Sequence, residues 1–213
     1  MRTTFLAAAA LVMSACGQTG AQDASSAQAP RYDDPAGTEV AIFASGCFWC
    51  TEADFEKLDG VVDVVSGYTG GDVANPGYRE VVRGGTGHVE ATRIVFDPEE
   101  IGYDQLLYHY WRNVDPIDGT GQFCDRGESY APYIFFTSPE QAQAALESRQ
   151  DVADRFDEPI KVRVEASETF WQAEDYHQDY AEKNPQRYQQ YRSACRRDQR
   201  LRQLWGSEAG GLG

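Results

Sequence analysis

The sequence predicts an α+β fold: one mostly antiparallel sheet with helices packed on one face. Three observations predict it. Short apolar, β-branched runs and helical patterns follow one another in the order β-α-β-β-α-β between residues 40 and 136. Gly, Pro and Asp clusters punctuate the joins. Hydrophobic residues make up 41% of the 213 residues and aromatics 12%, enough for a real core.

Each element has a local reason. Val40 to Ala44 is a short apolar strand ended by Ser45-Gly46. Cys47 to Leu58 carries a helical pattern, and Asp59-Gly60 stops it. Val61 to Val65 is a β-branched strand. The Gly-rich stretch from Gly67 to Gly71, running on through Asn75-Pro76-Gly77, reads as a surface loop. His88 to Phe96 alternates as a strand, closed by Asp97-Pro98. Tyr103, Leu106, Leu107, Tyr110 and Trp111 fall on one helical face. A polar loop runs from Asp115 to Ser129, and Pro132 to Phe136 is the next strand. Ser138-Pro139-Glu140-Gln141 resembles a capping box with Pro at the first helical position, so a helix follows to about residue 156. Ile160 to Val164 adds a strand, and Phe170 to Trp205 is polar, aromatic and helical or irregular. The order is that of a split βαβ, ferredoxin-like core, a two-layer α/β sandwich with an additional strand. One domain over residues 38–206 is expected, followed by a disordered tail at 207–213.

The N-terminus reads as an address. Arg2, an apolar run from Phe5 to Met13 and Ser14-Ala15 describe an export signal over residues 1–15. Cys16 follows in the manner of a bacterial lipoprotein processing site, although Met13 stands where Leu is usual. Cys16 is thus the expected lipidation site, and residues 16–37 a flexible tether. The expectation is an exported, lipid-anchored protein of the bacterial cell envelope or periplasm, monomeric, touching membrane only through that anchor. The apolar run is too short to span a bilayer. A net charge of −15 argues against nucleic acid as a partner.

Five cysteines are too few to staple a chain of this size, and their odd number leaves at least one outside any internal disulfide. Gly46-Cys47-Phe48-Trp49-Cys50 sits at a strand-to-helix turn. A cysteine at a helix N-terminus feels the positive end of the helix dipole, which favours thiolate. Phe48 and Trp49 can wall an apolar pocket. Zinc requires four ligands, and a second Cys-x-x-Cys is missing, so no metal is expected. A thioredoxin-like pair of Cys47 and Cys50 is the serious rival, since that fold also puts Cys-x-x-Cys at a βα turn.

Several ordered blocks carry a resemblance. Gly46-Cys47-Phe48-Trp49 with Glu52 and Phe55 is followed by Gly67-Tyr68-Thr69-Gly70-Gly71 and Asn75-Pro76-Gly77-Tyr78. Gly87-His88-Val89-Glu90, Phe96-Asp97-Pro98 and Asp115-Pro116 come next. Gly121 to Gly127 with Ser129-Tyr130, then Phe170 to Gln178, complete the series. Together they resemble the methionine sulfoxide reductase A family over roughly residues 40–190. The resemblance implies a peptide-methionine (S)-S-oxide reductase acting in protein repair under oxidative stress. It implies Cys47 as nucleophile and Glu90 as acid. Tyr78 and Tyr130 are implied as donors to the sulfoxide oxygen, and Asp125 as a residue near the substrate. Phe48 and Trp49 are implied as the pocket for the S-methyl group. Strand alternation independently puts Glu90 on one face with Thr92, Ile94 and Phe96; if that face is buried, desolvation keeps the carboxyl protonated.

The sulfenic acid formed on Cys47 must then be reduced. Members of the family commonly recycle through cysteines in a Gly-rich tail. This chain departs from that pattern, having a charged tail with Cys195 alone. Cys195, Cys50 and Cys124 all stand open as the resolving cysteine. The implied partners are oxidised protein substrates and a thioredoxin-like reductant, with no cofactor. The alternative reading is a thiol-disulfide oxidoreductase using Cys47 and Cys50 directly.

Overall fold

The computed structural model describes residues 29–212. The expected export signal, Cys16 and the first part of the tether lie outside them. The elements in chain order are β1 (Glu39–Ala44), α1 (Phe48–Phe55), β2 (Val61–Thr69), α2 (Tyr78–Arg83), β3 (Val89–Phe96) and α3 (Tyr103–Arg112). They continue with β4 (Gly121–Gln122), β5 (Asp125–Arg126), β6 (Tyr133–Phe136), α4 (Pro139–Ala153), β7 (Arg163–Ala166) and β8 (Trp171–Gln172). Three helices close the chain: α5 (Tyr180–Lys183), α6 (Pro185–Ala194) and α7 (Arg197–Trp205).

The main sheet has the order β7-β6-β1-β3-β2-β8. Its inner four strands, β6-β1-β3-β2, are all antiparallel to their neighbours, which is the split βαβ core. β7 runs parallel to β6 across the α4 crossover, and β8 pairs with the far end of β2. Two details differ from the sequence reading. β2 continues through Gly67-Tyr68-Thr69, because these residues pair with β3 on one side while Gly67 and Tyr68 take β8 on the other. β7 begins at Arg163 rather than Ile160, since Ile160 and Val162 turn into the helix-side core instead of pairing.

Alternation along β1 and β3 divides the core. Ala41, Phe43, Ile94 and Phe96 face α1, α3 and α4, where Phe55, Leu106, Tyr110 and Trp111 pack on them. Ile42, Ala44, Val89, Ala91 and Phe135 face the other way, under Phe170. β3 is buried along its whole length, so side chains on its helix face are out of water. Ser138 caps α4 by accepting from the Gln141 N–H at 3.2 Å, with Pro139 at the first turn.

Both ends of the domain are attached. In the described part of the expected tether, Tyr32 donates to the Phe170 carbonyl at 3.1 Å and Asp34 pairs with Arg93. Residues 207–212, expected as a free tail, instead lie against α3. Glu208 pairs with Arg112 and Arg155, and the Leu212 N–H donates to His109 Nδ1 at 3.1 Å.

Candidate active site

The site forms where the β1–α1 turn meets the end of β3. Gly46 makes the turn with φ +89°, and a side chain there would meet Gln122 at 2.6 Å. Cys47 follows as the N-cap of α1, 6% exposed. Glu90 rises from β3 on the same face as Thr92, Ile94 and Phe96, 2% exposed, and accepts from the Phe48 backbone N–H at 3.0 Å.

Burial decides the protonation states. Desolvation pushes the Glu90 carboxyl up to about 8, against the stabilising Phe48 N–H, so it is a neutral acid at pH 7. The Cys47 thiol is also pushed well up, first by burial and then by Cys50 and Glu90 beside it. The thiolate expected from the helix dipole is therefore not the resting form. Removal from water outweighs a dipole effect worth about 1 kcal/mol.

Hydroxyls converge from three further elements. Tyr78 opens α2 and Tyr130 ends the short helical turn Glu128–Tyr130. Their hydroxyls interact with each other, and Tyr130 also reaches Glu90. Tyr191, from α6, donates to Asp125 and packs edge-on against Trp49 with ring centres 5.8 Å apart. Phe48 and Trp49 stand in one aromatic cluster with His177, at ring separations of 4.9 Å and 5.7 Å. Tyr78 joins this cluster, 4.6 Å from His177. The structure thus brings Cys47, Glu90, Tyr78, Tyr130, Asp125, Phe48 and Trp49 to one place.

The cysteines separate into two pairs. Cys47 and Cys50 are free and buried, next to each other at the start of α1. Cys124 and Cys195 form a disulfide across 71 residues of sequence, with Cα atoms 4.9 Å apart. This pairing was not among the arrangements weighed from the sequence, which set all three remaining cysteines in competition for Cys47.

A sequence profile of the peptide methionine sulfoxide reductase family matches residues 39–209, a span that holds all of these side chains. The chain belongs to this family. It is 50% identical over 170 residues to the peptide methionine sulfoxide reductase MsrA 2 of Caulobacter vibrioides, covering 79% of this chain and 86% of that one. It is 51% identical over 152 residues to the MsrA of Ligilactobacillus salivarius, covering 70% and 88%. Among solved structures it is similar to methionine sulfoxide reductase A of Corynebacterium diphtheriae, with a TM-score of 0.68 and 33% identity over 71% of this chain and 77% of that one.

Four residues of this reductase homologue support the site and were given no role from sequence. His177 Nδ1 accepts from Trp49 Nε1 at 3.0 Å, and Trp49 stacks on Tyr180 with ring centres 3.7 Å apart. Glu174 accepts from the Tyr78 N–H at 3.0 Å and the Tyr68 hydroxyl at 2.9 Å, which fixes the start of α2. Glu52 accepts from Ser66 at 3.1 Å and from the Tyr180 N–H at 3.3 Å, joining α1 to the segment that walls Trp49. Burial pushes Glu52 up to about 7. Arg197 is buried and donates to the Ser45 and Asn113 carbonyls at 3.1 Å and 2.6 Å, pinning α7 under the nucleophile's turn. Glu52, Glu174 and His177 lie inside the resembling blocks, and their partners depend on the tertiary fold. His88, also in a block, clamps the Gly-rich loop: it accepts from the Gly71 N–H at 3.2 Å and contacts the Val73 carbonyl at 2.7 Å.

Among the described residues, two groups of three side chains have metal-like proximity: Cys124, Asp125 and Cys195, and Glu52, Glu56 and Asp179. In the first, both sulfurs are joined to each other and offer no thiolate.

Proposed function

We propose that this protein is a peptide-methionine (S)-S-oxide reductase that returns oxidised methionine in proteins to methionine, with Cys47 as nucleophile and Glu90 as acid. The observation that carries the reading is a buried thiol and a buried, protonated carboxyl held one residue apart by the Phe48 N–H.

The sulfoxide methyl enters among Phe48, Trp49 and Tyr78, and its oxygen faces Glu90 and the two tyrosine hydroxyls. Glu90 lends its proton to that oxygen, making the sulfur electrophilic. Cys47 attacks, and Tyr78 and Tyr130 donate to the charge building on oxygen. The oxygen passes to Cys47, and the thiol's proton replaces the one Glu90 gave. The substrate sulfur gains two electrons, the Cys47 sulfur loses two, and the products are a thioether and a sulfenic acid.

Cys50 resolves the sulfenic acid. It lies against Cys47, whereas Cys124 and Cys195 are joined to each other. Attack of the Cys50 sulfur forms the Cys47–Cys50 disulfide and releases water. A thioredoxin-like dithiol then takes up the disulfide and restores both thiols.

Incubation with dithiothreitol and each epimer of a blocked methionine sulfoxide, beside an insulin-reduction control, tests the function. Loss of the S epimer alone is expected. Insulin reduction without sulfoxide loss would instead identify a thiol-disulfide oxidoreductase.

A further inference from the structure

The aromatic wall of the pocket continues outward to the surface. Phe48 is 1% exposed and His177 2%, with ring centres 4.9 Å apart. The next ring is Tyr176, 4.2 Å from His177 and 60% exposed. Three rings thus lead from the residue beside Cys47 into solvent. Tyr78 packs on the middle one, 4.6 Å from His177.

A single exposed apolar side chain is ordinary on a protein surface. Tyr176 differs in its contact with the pocket wall and in its support. The turn that carries it is closed by the His177 N–H, which donates to the Glu174 carbonyl at 2.8 Å. The Glu174 carboxyl holds one end by accepting from the Tyr78 N–H at 3.0 Å and the Tyr68 hydroxyl at 2.9 Å. Gln178 holds the other end: its side-chain amide accepts from the Ser66 N–H and donates to the Ser66 carbonyl, both at 2.9 Å. The backbone therefore fixes the ring in water, with one side resting on His177. Tyr108 is the other large aromatic left exposed among the described residues, and the Arg112 guanidinium covers its face at 3.9 Å.

The sulfur of a methionine residue lies only a few bonds from its own Cα. With the S-methyl group among Phe48, Trp49 and Tyr78, the main chain of a protein substrate crosses the rim of the pocket, where Tyr176 stands. A tyrosine ring offers a large, rigid contact area at low entropic cost, and fixing it in advance lowers that cost further. Free methionine sulfoxide has no flanking chain to lay on it.

We propose that Tyr176 is a specificity-determining residue, whose exposed ring is a platform for the polypeptide flanking an oxidised methionine. The site thereby favours methionine sulfoxide within a chain over the free amino acid. The proposal rests on the reductase reading and on the pocket assigned to the S-methyl group.

The test compares two substrates, both as the S epimer: free methionine sulfoxide, and an acetylated, amidated pentapeptide with methionine sulfoxide between alanine pairs. Each is assayed with wild type, Tyr176→Ala and Tyr176→Phe. The readout is the ratio of kcat/KM for the peptide to that for the free amino acid. A loosened pocket or a loss of active protein lowers both values and cancels in the ratio. Tyr176→Ala is expected to lower the ratio about tenfold, through the KM for the peptide, and Tyr176→Phe to retain it, because the ring makes the platform. An unchanged ratio in Tyr176→Ala, or a Phe variant that behaves like the Ala variant, would overturn the proposal. Wild type that reduces neither substrate would overturn the reductase reading and this preference with it, whereas reduction of both with an unchanged ratio overturns the platform alone.

Discussion

The backbone N–H of Phe48 donates to the Glu90 carboxyl at 3.0 Å. That bond ties the acid on β3 to the residue next to the nucleophile, so proton donor and thiol keep their spacing as one unit. It favours ionisation less than burial opposes it, which leaves Glu90 titrating at about 8.

Replacing Glu90 by Gln keeps the shape and removes the proton. Methionine formation in a single turnover is expected to fall by about 10²- to 10⁴-fold, the usual range for losing a general acid. In wild type the acid form is required, so the rate should hold below pH 8 and decline above it. A rate unchanged in Glu90→Gln would remove the carboxyl from the mechanism.

The same carboxyl shapes stability. Glu90 ionises near 4.5 when unperturbed and near 8 in the folded chain. Between those values the folded state holds a proton that the unfolded state has lost. Its contribution is therefore complete below pH 4.5 and shrinks as pH rises through 8. Denaturant titrations of Glu90→Gln should show a smaller loss of stability from pH 5 to pH 9 than wild type. Parallel pH profiles would contradict the assignment of the raised value to Glu90.

Gly46 turns the chain into Cys47 at φ +89°, with the Gln122 Cβ 2.6 Å from where a side chain would begin. Gly46→Ala meets both a strained backbone and a clash. The expected cost is about 1–3 kcal/mol of stability, with at least a tenfold loss of kcat/KM from displacing the thiol. Thermal unfolding and steady-state assays measure the two effects, and an alanine variant of wild-type stability and rate would refute the role given to this turn.

His177 holds Trp49 by accepting its indole N–H at 3.0 Å. His177→Phe preserves the aromatic packing and removes the acceptor. KM should rise more than kcat falls, since the pocket wall loses its anchor while Cys47 and Glu90 stay in place. Trp49 fluorescence should change with it. An unaltered KM would show that stacking on Tyr180 alone orients the indole.

Much of this was legible in residues. Alternation in β3 placed Glu90 on the face of Ile94 and Phe96, and the structure buries that face along with the opposite one. The Tyr103 to Trp111 stripe marked α3, and the Ser138 cap marked α4. The two-residue β8 and the six-residue α2 were not legible, because neither is long enough to express a period. The C-terminal segment was read only as helical or irregular. Its helix α6 buries nothing, and α7 hides its purpose in Arg197, a charged residue that reads as surface until its acceptors on Ser45 and Asn113 are seen. The Cys124–Cys195 bond illustrates a general limit: cysteine positions do not specify connectivity. Tyr191 was missed for a related reason, since its partner Asp125 lies 66 residues away.

The central claim is that Cys47 takes the oxygen from methionine sulfoxide. The most direct measurement is dimedone trapping after one equivalent of the S epimer is added, without reductant, to the Cys50→Ser protein, in which the sulfenic acid has no adjacent thiol. The account predicts methionine formed one-for-one with a dimedone adduct on Cys47. Methionine formed with Cys47 unmodified, or an adduct on a different cysteine, would contradict it.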